Sequence, residues 1–208
     1  MTRDHVPPKN LFAKPRPSDL ITVPSCLKCN GEFGKDDEQV RNIITSLENV
    51  ENHPSVQSQL AKKRNRSLER KEGKNNLRHL TDSLKPVDLV TDTGKVIERR
   101  IAFDLDQPVM DRFAERVTRG LLYHESDIGY TVGTVKWRIA PDADDFDGMP
   151  KDMKEFLSSH KPKSIGNGVF KYIGYVYPGR PGSLWLFRFF DGFEIMTLFQ
   201  EPKKPQYR

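Results

Sequence analysis

Between Asp19 and Asn30 the chain passes from a short β-branched stretch, Leu20-Ile21-Thr22-Val23, through Pro24-Ser25 into Cys26-x-x-Cys29-Asn30. Such a stretch favours a strand, and the Pro-Ser break ends it. Beyond Asn30, Val40, Ile43, Ile44 and Leu47 recur at helical spacing. Asp36, Asp37 and Glu38 stand ahead of them, where acids suit the positive end of a helix dipole. Thr2 to Val6 reads as another short strand, and Pro7 to Ser18, with its four prolines, as an extended loop. The first fifty residues are therefore expected to form a hairpin followed by a helix.

Three points of this segment carry chemistry: Asp4-His5 on the first strand, Asp19-Leu20 opening the second, and Cys26-x-x-Cys29-Asn30 before the helix. In this order they resemble the HNH, or ββα-metal, nuclease motif, over roughly the first forty of 208 residues. The resemblance implies an endonuclease that hydrolyses DNA phosphodiester bonds with Mg²⁺ or Mn²⁺. His5 would activate water, Asp4 and Asn30 would bind the metal, and Asp19 would position His5. In the family the position of Asp19 is usually Asn.

The residue types suit that reaction. Phosphodiester hydrolysis needs a water made nucleophilic and a hard cation to neutralise charge. An imidazole titrates near neutrality, and carboxylate and amide oxygens are the ligands Mg²⁺ and Mn²⁺ prefer. Neighbouring strand residues point to opposite faces, so Asp4 and His5 converge on one phosphate only if the chain bends there; Pro7-Pro8 fits an irregular exit. Family members with Cys-x-x-Cys-Asn usually carry a further Cys-x-x-Cys upstream, completing a four-thiolate structural Zn²⁺ site. This chain has two cysteines. Cys26 and Cys29 make such a site only with an upstream pair; otherwise they are small buried hydrophobes in a hairpin held by packing. A non-catalytic nucleic-acid-binding or interaction protein on the same scaffold is the alternative function. A thiol-disulfide module is a third reading, and it lacks the βαβ context such motifs want.

Charge favours a polyanionic partner. The net charge of +5 lies wholly in residues 1–100, and Ala61 to Arg78 alone holds eight basic residues against Glu69 and Glu72. Lys62, Lys63, Arg64, Arg66, Arg70, Lys71 and Lys74 are the candidate contacts to DNA, or to RNA as the other polymer. The same run, Val56 to Asn75, reads as one solvated helix with a thin apolar face. No apolar stretch approaches a membrane span and Met1-Thr2-Arg3-Asp4 lacks the core of a signal peptide, so a cytoplasmic protein without a membrane partner is expected. Oligomeric state is not legible.

The remainder predicts an α+β protein, with a ββα-metal module at 1–50, a basic helical connector at 51–85 and a mostly antiparallel sheet with helices at 86–208. Val87 to Val90 and Val96 to Phe103 flank a Thr91–Lys95 turn. Gln107-Pro108 opens an amphipathic helix with Val109, Met110, Phe113, Val117 and Leu121 on one side and Arg112, Arg116 and Arg119 on the other. That arginine stripe reads as a solvated face or a phosphate contact, and His124-Glu125 after it as an isolated pair. Tyr130 to Ile139 is a strand and Pro150 to His160 a helix. A meander follows over 169–177, 183–190 and 193–199, with turns at 178–182 and 191–192 and a frayed tail at 202–208. Its many aromatics read as core.

Overall fold

A computed structural model describes residues 1–126, 132–139, 151–177 and 182–201. The turn expected at 178–181, the strand start at 130–131 and the tail at 202–208 lie outside the described residues.

Strands β1 (Thr2–Val6) and β2 (Ile21–Ser25) pair antiparallel, with Asp4 opposite Val23 and Val6 opposite Ile21. The intervening loop is not wholly extended: Lys9–Leu11 forms a 3-10 turn that buries Leu11. Helix α1 (Leu27–Ile44) starts well before the acids that were expected to open it. The reason is local, since the Cys26 sulfur caps the helix by accepting the Cys29 N–H at 3.0 Å. Asp36, Asp37 and Glu38 thus lie within the helix, where partners from other elements hold them.

The basic connector is not one helix. After α2 (Glu48–Glu51) come a π-helical turn (Val56–Leu60), α3 (Ala61–Glu69), a 3-10 turn (Lys71–Gly73) and α4 (Lys74–Asp82). Arg70 takes an extended backbone, φ −67° and ψ 155°, and that ends α3. Nor is its apolar face idle. Val56 and Leu60 are 0% and 1% exposed, packed in the same cluster as Val6, Phe12 and Phe190.

Strands β3 (Lys85–Val90) and β4 (Val96–Ala102) form a separate two-stranded ribbon with Ile97 and Ile101 exposed. Helix α5 (Gln107–Ser126) then runs between the hairpin with α1 on one side and the large sheet on the other. Its apolar side chains from Val109 to Leu122 are buried as their spacing predicts. Gly120 makes the hairpin side possible: a Cβ there would come within 2.4 Å of a Val6 methyl.

The large sheet holds β5 (Thr134–Ile139), β6 (Lys163–Ile165), β7 (Phe170–Val176), β8 (Gly182–Phe189) and β9 (Phe193–Gln200), all antiparallel, in the order β5-β9-β8-β7-β6. Helix α6 (Lys151–Ser159) precedes β6. On β9, Phe193, Ile195, Thr197 and Phe199 are buried in strict alternation. Thr118 of α5 donates to Thr197 at 2.8 Å, a buried polar tie between helix and sheet. The protein is mixed α and β with a mostly antiparallel sheet, and the aromatics of β7 to β9 other than Tyr175 are core. Among the described residues, no helix is long and apolar enough to cross a membrane.

Candidate functional site

The hairpin separates Asp4 from His5, as strand alternation requires. Asp4 points toward α5 and is 5% exposed. Both its oxygens are taken by Arg116, from Nε and from Nη2, each at 2.6 Å. The same guanidinium reaches Asp37 of α1 and lies 4.4 Å from the Phe33 ring centroid. Beside it, Arg112 grips Asp36 through two bonds at 2.6 and 2.9 Å. Arg119 pairs with Glu115 and donates to the Gly133 carbonyl. Carboxylates and a carbonyl therefore engage the arginine stripe, with Arg116 buried and Arg112 half exposed. Asp4, Phe33, Arg112, Glu115, Arg116 and Arg119 line a cavity of about 420 Å³ between the hairpin, α1 and α5.

His5 lies on the other side of the strand, half-buried. Among the described residues nothing hydrogen-bonds its ring. Partial burial, and then the charge of Lys9, holds the imidazole below its ordinary value, against the opposing pull of Asp4; Arg16 adds to the lowering.

The other expected site residues have found separate partners. Asn30 donates its amide to the Arg3 carbonyl at 3.1 Å and to Thr2 Oγ1 at 3.3 Å, fastening α1 to β1. Asp19 accepts the Gly166 N–H at 3.0 and 3.2 Å, so its carboxylate braces the β6–β7 turn. Cys26 and Cys29 are exposed free thiols. Hydrogen bonding from Cys29 lowers the Cys26 thiol and raises that of Cys29. Among the described residues no three His, Cys, Asp or Glu side chains converge as a metal site.

The basic run divides by role. Arg64 donates to the Thr45 carbonyl and lies 3.6 Å from Glu51, a largely buried strut. Arg70 approaches Glu38 at 3.5 Å. Lys71 and Lys74 are exposed. Lys62, Lys63 and Arg66 line a groove of about 330 Å³ opposite Lys14 and Arg16 from the proline loop. Sequence reading missed the last two because the loop's charges are sparse along the chain. Only folding sets them across from α3.

Gln59 fixes that juxtaposition. Its side-chain oxygen accepts the Lys14 N–H at 2.8 Å and its amide nitrogen donates to the Lys14 carbonyl at 2.5 Å. The side chain thus mimics a strand partner and pins the loop to the π-helical turn. Burial, and then the charges of Arg41 and Arg16, bring the Lys63 ammonium down to about 8.

No family model, no curated protein and no solved structure matches the chain.

Proposed function

We propose that the protein is an HNH-like nuclease acting on DNA phosphodiesters, with His5 as the general base. The observation that carries this reading is His5 itself: a half-buried ring with no hydrogen-bond partner among the described residues, on the first strand of the hairpin, near Lys9 and Arg16, whose charges favour a bound phosphate and the unprotonated ring. A neutral imidazole takes the proton from a water as its oxygen bonds to phosphorus, while the bond to the 3′ oxygen breaks and that oxygen leaves with the electron pair.

The Mg²⁺ or Mn²⁺ implied by the family resemblance does not fit Asp4 and Asn30 as they stand. Both Asp4 oxygens are on a guanidinium, and the Asn30 amide serves the hairpin backbone. A metal on Asp4 requires Arg116 to withdraw. Structural Zn²⁺ would have only the exposed thiols of Cys26 and Cys29. The chemistry that follows from this chain's residues is thus confined to His5 as proton acceptor, with Lys9 and Arg16 stabilising the substrate's negative charge.

The Asp4–Arg116 pair favours a second reading, a nucleic-acid-binding protein that does not cleave. Nicking of supercoiled plasmid with Mg²⁺ or Mn²⁺ separates the two, with binding measured in parallel. Nicking that is lost in His5→Ala while binding persists supports the nuclease. Binding by the unaltered chain with no nicking supports the second reading, and absence of both overturns them together.

A further inference from the structure

We propose that the groove between the proline loop and α3 is a binding site for the phosphate backbone of a nucleic-acid strand, built from Lys14, Arg16, Lys62, Lys63 and Arg66. It rests on the nucleic-acid substrate of the nuclease reading and shares Arg16 with it, whereas Lys14, Lys62, Lys63 and Arg66 take no part in the catalytic step.

The composition of the lining makes the case first. Among the described residues, every charged side chain that lines the groove is a cation. By contrast, Arg112 and Arg116 are each answered by aspartates, and Arg64 and Arg70 by glutamates. The nearest acid, Glu38, accepts from Ser67 and lies against Arg41 and Arg70.

The groove is also held in shape. Gln59 clamps the backbone of Lys14, Arg16 donates to the Phe12 carbonyl, and Arg66 leans on the Lys62 carbonyl at 3.4 Å. These contacts position the cations before any ligand arrives, which lowers the ordering cost of binding.

Concentrating charge in this way is unfavourable in the free protein. Lys63 sits half-buried near Arg41, Arg16 and Lys14, whose charges oppose its own, while Glu38 offsets them in part. Behind it, Arg41 is 2% exposed and its Nε has no hydrogen-bond partner among the described residues. Gathering several cations around a single carboxylate in a partly buried setting costs free energy. A polyanion in the groove relieves that cost and releases the counterions condensed on itself. The charge of Arg16 bears on both Lys63 and His5, so the groove lies near the hairpin residue His5.

The test is fluorescence anisotropy of the full chain with labelled single-stranded and duplex oligonucleotides over a range of salt, in EDTA so that no cleavage intervenes. Arg16→Gln and Lys63→Gln should each reduce the slope of log K against log salt by about one phosphate contact. Lys95→Gln, the same charge change on the distant β3–β4 ribbon, should leave the slope unchanged. Lys63→Arg should restore it, which separates a charge effect from misfolding. Equal losses in Lys95→Gln, or unchanged slopes in the groove variants, would overturn the assignment. So would competition by polyglutamate as effective as that by oligonucleotide of equal charge. Binding through the groove with no nicking activity sinks the nuclease reading and leaves the groove intact; nicking with groove variants of unaltered affinity does the reverse.

Discussion

Arg116 holds Asp4 by both carboxylate oxygens across 112 positions of sequence, with side chains only 9% and 7% exposed. Removing one partner of such a pair strands a buried charge, which typically costs about 3–5 kcal/mol. Arg116→Ala should lose that much in urea unfolding, since Asp37 loses its counter-charge as well. Arg116→Lys should recover only part, because an ammonium lacks the two-pronged geometry. A loss below about 1 kcal/mol, the range of exposed pairs, would mean the bridge is solvated in solution.

His5 should set the pH dependence of cleavage. Burial and Lys9 lower its pKa, so the active, unprotonated form predominates at neutral pH. The rate should climb from acid pH through a midpoint below 6.5 and level off above it. His5→Ala should cost about 10²- to 10⁴-fold in rate. A midpoint above 7 would assign the proton transfer to another group.

Asp19 should matter to stability and not to that pH midpoint. Its hydrogen bonds go to the Gly166 N–H, where φ is +63° and a Cβ would meet the Phe12 ring at 2.5 Å. Asp19→Ala should cost about 1.5–3 kcal/mol, as for bonds to a charged acceptor. A shift of the cleavage midpoint in Asp19→Asn would place the carboxylate at His5 during turnover.

Lys63 gives the opposite sign to a stabilising ion pair. Its folded pKa, about 8, lies under the ordinary 10.5, so the unfolded chain binds more protons between those values and stability rises with pH across that window. Below it the penalty is fully present. Lys63→Met should therefore stabilise the protein at pH 7 by on the order of 1 kcal/mol, after discounting for solvent screening. The advantage should vanish near pH 10.5. Chemical denaturation at the two pH values checks this.

Gln59→Ala should loosen the proline loop. Two hydrogen bonds to Lys14 are lost, and the Lys14 amide should exchange with solvent faster than in the unaltered chain. Unchanged exchange would show the loop to be held by Leu11 and Phe12 packing alone.

What the amino-acid order determined was local. The Leu20–Val23 and Thr2–Val6 strands, the amphipathic helix from Gln107 and the alternating aromatics of the meander follow from side-chain period and turn residues, which act over a few positions. Capping by Cys26 is local too, but cysteine is not among the residues whose preference for the cap position marks a helix start in sequence. Tertiary structure decided the rest. Asp4 and Arg116 are far apart in the chain, and strand alternation leaves open which of Asp4 and His5 faces α5. Packing settles that: Gly120 admits Val6 against the helix, and Asp4, two residues earlier on the same face, goes with it. Lys14 and Arg16 become groove residues only because Gln59 ties their loop to the connector. Charge is additive along a sequence, but the cost of gathering it depends on distance and burial, and those exist only once the chain is folded.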